Sequence, residues 1–213
     1  MTPDWSRFSR KFVAVCEPCR DRIPSLRREL ARVGLRPDEV DGTVDAEMRC
    51  HGTSLAHYEM YRRFLDGKGD MCLCLEDDVR FLRDTEKLAR VVAEMPDDAD
   101  LAHLSWCSAL KGRAGVSWSP APYDTATCGT AAYAVSRRAA ERLLDRSKGH
   151  LADFLAIDLC PAVDLDGSFK TYFATPPCAS VASYAAHTSG NDSVGVFQRC
   201  AARFGLPVSA FGE

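Results

Sequence analysis

The sequence predicts one α/β domain built on a largely parallel sheet. Short apolar runs of strand type alternate along the chain with longer segments of helical periodicity, a pattern typical of βα units. The chain has 213 residues, of which 46% are hydrophobic and 27% charged, so it can bury one large core. These proportions exclude a disordered or fibrous protein. We expect a single domain over residues 1–213, with its core in residues 11–204, that can also serve as a module of a longer polypeptide.

The first elements are two strands separated by a helix. An apolar run predicts a strand over Lys11–Cys16, and a turn at Pro18 follows it. Helical spacing of leucine and valine then predicts an Arg-rich helix over about Asp21–Val33, closed by Gly34. Asp38–Gly42 is typical of a short strand and turn.

The next two elements lead to an acidic run. A helix is predicted over Thr53–Leu65, with an apolar face that includes Leu55, Tyr58 and Phe64. Met71–Leu75 is a continuous apolar run, which indicates a strand buried on both faces. This strand ends abruptly in Glu76-Asp77-Asp78.

The second half repeats the alternation with longer connections. Asp84 and Thr85 are good N-cap residues for a third helix, and Ser136 caps a fourth that runs to about Arg146. The remaining predicted elements are strands over Leu101–Leu104, Thr130–Val135 and Lys170–Ala174, loops over Lys111–Asp124 and Thr188–Ser193, and a final helix near Val194–Phe204.

The net charge and the distribution of apolar residues indicate which cellular compartment and which classes of partner to expect. The formal net charge is −3, which excludes a strongly basic nucleic-acid-binding protein. The stretch Met1–Lys11 lacks the apolar segment of a secretory signal, and no window approaches 18 uninterrupted apolar residues. We therefore expect a cytoplasmic protein that does not span a membrane. The sequence does not predict the oligomeric state.

The ten cysteines include one CxxC pair, Cys16 and Cys19. No second CxxC exists to complete a zinc site, and Cys72 and Cys74 lie inside an apolar run. We expect most of the ten to be reduced structural residues.

The acidic run is the most informative feature of the sequence. Ligands of open α/β sheets bind beyond the carboxyl ends of the strands, where Glu76-Asp77-Asp78 falls. Adjacent carboxylates repel one another unless a cation or a basic partner compensates, and in an extended chain Glu76 and Asp78 point the same way. Their hard oxygen ligands suit Mg²⁺ or Mn²⁺, which can bridge phosphate oxygens. The alternative is a solvated acidic loop in which Asp77 or Asp78 hydrogen-bonds the local backbone.

Five segments of the sequence form an ordered set of motifs: Arg20-Asp21-Arg22, Gly52-Thr-Ser-Leu-Ala-His57, Leu73-Cys-Leu-Glu-Asp-Asp-Val79, Cys128-Gly-Thr-Ala-Ala-Tyr133-Ala-Val-Ser136 and Leu151-Ala-Asp153. In this order they resemble the motifs of glycosyltransferase family 25, which contains lipopolysaccharide and collagen-type sugar transferases. The similarity spans roughly residues 11–193. It departs from the family at Cys16-Glu17, where an Asn-Leu pair is usual, and at Ala56, where a serine is usual.

The resemblance implies a GT-A fold, a Rossmann-like mixed and mostly parallel sheet flanked by helices. It further implies an inverting, metal-dependent transfer of a hexose or deoxyhexose from a nucleotide sugar, which we expect to be a UDP-sugar, to a glycan or glycoprotein acceptor. Asp78 would be the principal ligand of Mn²⁺ or Mg²⁺, and Glu76 would approach the ribose or the metal. A cation at this position would neutralise the charge that develops on the departing diphosphate.

Other residues are candidates for binding the donor. Arg20 and Arg22 follow the first strand and can bind phosphates, although a surface salt bridge is an equal alternative. His57 can hydrogen-bond the donor or orient a carboxylate, or it can be a structural residue of its helix. The predicted donor-binding set is Arg20, Arg22, His57, Glu76, Asp77, Gly129 and Thr130.

Two aspartates are candidates for the catalytic base. Asp153 matches the family element and Asp158 is the second candidate, because inverting transfer needs a carboxylate near the acceptor hydroxyl. The alternative for Asp153 is a helix N-cap. His187 is a candidate third metal ligand, with a surface histidine as its alternative.

Two other functions fit the same sequence. A metal-dependent phosphohydrolase or nucleotidyltransferase also clusters acids at strand ends. A carbohydrate-binding module on the same fold would keep the ligand site without turnover.

Overall fold

The computed structural model describes residues 2–42, 49–105, 117–120, 130–147 and 169–181. A 3₁₀ turn, Glu17–Arg22, joins the first strand to the first α-helix. The helices are α1 Ile23–Arg32, α2 Arg49–Leu65, α3 Thr85–Ala93 and α4 Arg137–Ser147. The strands are β1 Arg10–Cys16, β2 Asp38–Gly42, β3 Met71–Glu76, β4 Val79–Phe81, β5 Leu101–His103, β6 Trp118–Pro120, β7 Ala132–Ser136, β8 Thr171–Ala174 and β9 Ala179–Val181.

Seven of these strands form one mixed sheet in the order β2-β1-β3-β7-β5-β8-β6. The pairs β1–β2, β1–β3 and β5–β8 are parallel, while β7 is antiparallel to both of its neighbours and β6 is antiparallel to β8. Five strands therefore run in one direction and two in the other. The predicted mixed, mostly parallel sheet is confirmed. β4 and β9 form a separate antiparallel pair.

The alternation of side chains along the strands divides the core into two layers. Leu73 and Leu75 of β3 pack in one cluster with apolar residues of α1 and α3. Cys72 and Cys74 point to the opposite face and pack with residues of α2 and α4. Helices thus cover both faces, which explains why β3 is apolar at successive positions.

Side-chain caps fix the starts of two helices as predicted. Asp84 accepts a hydrogen bond from the backbone N–H of Lys87 at 3.0 Å, and Ser136 Oγ accepts one from Ala139 at 3.1 Å. An N-cap of this kind contributes about 1 kcal/mol to helix stability.

Three details of the helices differ from the prediction. The first helix begins as a 3₁₀ turn, and α1 starts only at Ile23, because Cys19 has non-helical angles (φ −112°, ψ 18°). α2 begins at Arg49, four residues before the predicted start. Leu55, predicted on the apolar face of that helix, is 38% exposed.

Three short strands were absent from the prediction. β4, β6 and β9 have three residues each, and β6 lies inside the segment predicted as a loop. Three residues carry too little alternation to distinguish a strand from a loop. The predicted loop Thr188–Ser193 and helix Val194–Phe204 lie outside the described residues.

Two further expectations concern the described residues. None of their helices combines the length and apolar character that a membrane span requires. The cysteines whose state the structure gives, Cys16, Cys19, Cys72, Cys74 and Cys178, are free thiols.

The connections around β1 place a topological switch point at the carboxyl ends of β1 and β3, and we refer to this end of the sheet as the crevice. The chain leaves β1 through α1 to reach β2 on one side, and it returns through α2 to β3 on the other side. Neighbouring connections therefore diverge at the carboxyl ends of β1 and β3, a switch point of the kind at which α/β proteins bind ligands.

Candidate functional site

Three chain segments meet at this crevice. β1 ends at Cys16, β3 ends at Glu76, and β7 begins just after Thr130 because it runs in the opposite direction. A backbone hydrogen bond of 3.1 Å from Glu76 N–H to Ala131 O joins the last two. Polar side chains from distant parts of the sequence are thereby brought to one edge.

Glu76 is held by two neighbouring side chains. Its Oε1 atom accepts a hydrogen bond from Thr130 Oγ1 at 2.5 Å and lies 3.3 Å from Nε2 of His57. His57 is fully buried, whereas the Glu76 side chain is 21% exposed. Of the functions that the sequence left open for His57, the contact supports orientation of a carboxylate.

The charge of Glu76 affects the protonation of His57. Burial lowers the pKa of His57, but hydrogen bonds with Cys74 and Glu76 and the Glu76 charge outweigh burial and raise that pKa to about 9. The pair is therefore an internal, charge-assisted contact at the end of β3.

Asp77 holds the end of β1 in place. Its Oδ1 atom lies 3.2 Å from Nη1 of Arg22, and its Oδ2 atom accepts a 3.3 Å hydrogen bond from the backbone N–H of Cys16. Both side chains of the ion pair are buried. Since β3 ends at Glu76 and residues 77–78 form a turn, the premise that an extended chain aligns Glu76 with Asp78 is wrong.

Burial and neighbouring charges strongly affect the protonation of Asp78. Burial raises its pKa well above the usual range, and the charges of Glu76 and Asp77 raise it further, against smaller opposite effects of Arg22 and Arg80. Burial also raises the pKa of Asp77, although the Cys16 N–H and Arg22 lower it. Burial and the adjacent carboxylates together therefore disfavour the charged form of Asp78.

The two candidate phosphate-binding arginines have different environments. Arg20 is exposed on the 3₁₀ turn, whereas Arg22 is only 6% exposed and contacts Asp77. Arg80 is also buried, and it donates to Ser25 Oγ at 2.9 Å and to Val79 O at 2.7 Å. Arg20 is thus the arginine of the predicted pair that can meet a ligand from solvent.

The structure brings together Arg22, His57, Glu76, Asp77, Asp78 and Thr130, and it places Arg20 on the adjoining turn. The predicted residues Gly129, Asp153, Asp158 and His187 lie outside the described ranges. Within those ranges, no three His, Cys, Asp or Glu side chains form a complete set of metal ligands.

Two residues of the site were not predicted to act there. Tyr133 is a fully buried core residue whose hydroxyl lies 2.8 Å from Nδ1 of His57. The Tyr61 hydroxyl lies 2.5 Å from that of Tyr133. Tyr61 follows His57 by four residues, so their shared helix face was a signal available in the sequence.

Comparisons with known proteins give only weak similarity. A scan against protein-family models gives no match, and neither does a search of curated proteins. Among solved structures, the chain is similar to a glycosyltransferase involved in the glycosylation of the major capsid of PBCV-1, at 10% identity and a TM-score of 0.39, over 66% of this chain and 68% of that one. It is also similar to the nucleoside-diphosphate-sugar pyrophosphorylase from Vibrio cholerae RC9, at 11% identity and a TM-score of 0.40, over 90% of this chain and 81% of that one. TM-scores this low carry no argument about function.

Proposed function

We propose that the chain is a metal-dependent glycosyltransferase with a GT-A fold. It moves a hexose or deoxyhexose from a nucleoside-diphosphate sugar, with UDP as the nucleotide, to a glycan or glycoprotein acceptor. The observation that carries the proposal is the position of the consecutive acids Glu76, Asp77 and Asp78 at the switch point of the sheet, where α/β proteins bind nucleotides. The motif resemblance to glycosyltransferase family 25 supports the same activity.

The chemistry of two side chains at the crevice suits a divalent cation. Glu76 and Asp78 supply hard carboxylate oxygens, and their mutual repulsion is the condition that a bound cation relieves. Mn²⁺ or Mg²⁺ would be held by these two residues, with His187 as the proposed third ligand. When bound, such an ion supplies positive charge against the leaving diphosphate.

The remaining roles follow from position and charge. Arg20, which is exposed on the 3₁₀ turn, binds a donor phosphate, and Thr130 and Gly129 remain the further proposed donor-binding residues. Arg22 and Asp77 contribute by fixing the end of β1. Asp153, with Asp158 as the second candidate, accepts the proton of the acceptor hydroxyl in an inverting displacement.

Thermal unfolding with and without ligands tests this proposal. A ligand at about 100 times its Kd contributes about 2.7 kcal/mol, which corresponds to a rise of roughly 5–10 °C in Tm for a chain of this size. We expect UDP with Mn²⁺ to give such a rise, Asp78→Ala to abolish it, and the exposed control Asp66→Ala to retain it. A wild-type Tm that responds to neither UDP nor Mn²⁺ contradicts the proposal.

A further inference from the structure

A chain of buried hydrogen bonds leads from the core to Glu76. The hydroxyl oxygens of Tyr61 and Tyr133 lie 2.5 Å apart, and the Tyr133 hydroxyl lies 2.8 Å from Nδ1 of His57. The other ring nitrogen, Nε2, lies 3.3 Å from Glu76 Oε1. Tyr61, Tyr133 and His57 each have 0% of their surface exposed.

We propose that Tyr133 and Tyr61 are positioning residues that hold the His57 ring so that its Nε2–H donates to the Glu76 carboxylate. The inference rests on the proposed function in one respect, that Glu76 binds the cation. It goes beyond that function by assigning a task to two tyrosines that touch neither the donor nor the metal.

The fold places these groups on one side of the sheet. His57 and Tyr61 are four residues apart on α2 and therefore share a helix face. Tyr133 of β7 lies opposite Cys74 of β3, and both side chains lie on the face of the sheet that α2 covers. Glu76 follows Cys74 by two residues, so its side chain projects to the same face. The hydrogen-bond chain is thus a product of the sheet register as well as of the helix.

The chemistry of the partners fixes the direction of the last bond. An ionised carboxylate only accepts hydrogen bonds, so the proton between His57 and Glu76 belongs to Nε2. In a neutral ring Nδ1 then accepts from Tyr133, and Tyr133 accepts from Tyr61. In a charged ring, Nδ1–H donates to the Tyr133 hydroxyl oxygen. The Tyr133 O–H then donates to the hydroxyl oxygen of Tyr61. Because a hydroxyl donates or accepts, the tyrosine pair holds the ring in the same orientation in both charge states.

The consequence for Glu76 is a fixed carboxylate. Oε1 receives one hydrogen bond from Thr130 and a second from His57, which restricts rotation of the carboxylate about its last bond. Partners of this kind orient metal-binding side chains in other proteins, and their removal costs about 10- to 100-fold in metal affinity. We therefore expect the tyrosine hydroxyls to affect cation binding without contacting the cation.

Binding of Mn²⁺ alone, followed by electron paramagnetic resonance, tests the inference without activity. We expect Tyr133→Phe to weaken Mn²⁺ binding about tenfold or more, and Tyr61→Phe to weaken it less because it acts through one more bond. Tyr172→Phe is the matched control, since it removes a hydroxyl bonded to Asp98 and leaves Glu76 untouched. At the histidine, His57→Gln retains an N–H near the Nε2 position and keeps most of the affinity, whereas His57→Asn does not.

The ¹⁵N signal of His57 Nε2 gives a second readout that a merely structural role would not change. We expect a slowly exchanging Nε2–H in the wild type and in Tyr172→Phe, and loss of its protection in Tyr133→Phe. Equal Mn²⁺ affinity and an equal Nε2–H signal in wild type and Tyr133→Phe overturn the inference. If the wild-type protein binds no Mn²⁺, the proposed cation site is refuted. In that case the protection of the Nε2–H, compared between wild type and Tyr133→Phe, alone tests whether the tyrosines position His57.

Discussion

Asp77 connects the acidic run to the end of β1. Both of its oxygens hold the end of β1, one through Arg22 and the other through the Cys16 N–H. The alternative of a solvated loop bonded to its local backbone is wrong for Asp77, which is buried and bonds the N–H of Cys16, 61 positions away in the sequence. The acidic run therefore combines a structural aspartate with two carboxylates that are candidates for the cation.

Removal of one partner of the buried pair should destabilise the fold. Asp77→Asn removes the charge that faces the buried Arg22 guanidinium, and the loss of one partner of a buried pair costs about 3–5 kcal/mol. The double variant Asp77→Asn with Arg22→Met should recover part of that loss, because it removes the second charge as well. Urea unfolding measures both values, and a single variant as stable as the wild type would show that the pair is not buried as described.

Asp78 should behave in the opposite way in metal-free protein. Burial and the charges of Glu76 and Asp77 raise its pKa, so the folded state binds this proton more tightly than the unfolded state. The stability that this proton confers is complete below the unfolded value of 3.8 and is lost as pH rises through the folded pKa. Asp78→Asn should therefore raise the Tm at neutral pH and flatten its dependence on pH. A lower Tm for this variant at neutral pH, without metal, would contradict the description.

At the scale of elements, the end of α2 depends on a residue from another part of the chain. The Arg137 guanidinium donates to the carbonyls of Gly67 at 2.7 Å, Gly69 at 2.9 Å and Leu65 at 3.1 Å. It also lies 5.0 Å from the centre of the Phe64 ring. One side chain thus caps the carbonyl end of α2, which carries His57.

Replacement of Arg137 by lysine should lower the free energy of unfolding even though the positive charge is kept. Arg137→Lys keeps the charge but loses the planar fork that reaches several carbonyls, so we expect a loss of about 2 kcal/mol in unfolding free energy. The control Arg62→Lys changes an exposed pair with Glu59 and should alter stability by less than about 0.5 kcal/mol. Equal effects of the two substitutions would argue against the cap.

Several of the elements that the sequence predicted have an apolar run or a side-chain cap. β1, β3, α3 and α4 follow from apolar runs and from Asp84 and Ser136. The 3₁₀ turn and the three-residue strands did not, because they depend on local angles at Cys19 and on pairing with distant strands. These features depend on tertiary contacts, which a local sequence pattern does not reveal.

At the scale of the whole molecule, the order of the strands explains the position of the site. The acidic run was predicted at a strand end from sequence alone, and the placement of β1 between β2 and β3 makes that end a switch point. The sequence left open that His57 orients a carboxylate, but it predicted neither Glu76 as its partner nor the Thr130–Glu76 bond, because these contacts join residues 19 and 54 positions apart. Such contacts follow from the sheet register and from the packing of α2, which are properties of the assembled fold.

In the proposed function, the crevice binds a nucleotide sugar and cleaves its sugar–phosphate bond with the help of a divalent cation. Incubation with a panel of nucleotide sugars and of nucleoside triphosphates, with product analysis, tests it most directly. We expect slow Mn²⁺-dependent hydrolysis of one UDP-sugar to UDP and free sugar, lost in Asp78→Ala and retained in Asp66→Ala. Release of phosphate or pyrophosphate from triphosphates, with every nucleotide sugar left intact, would contradict the claim in favour of a phosphohydrolase or nucleotidyltransferase. Binding of a sugar with no turnover of any donor would contradict it in favour of a carbohydrate-binding module.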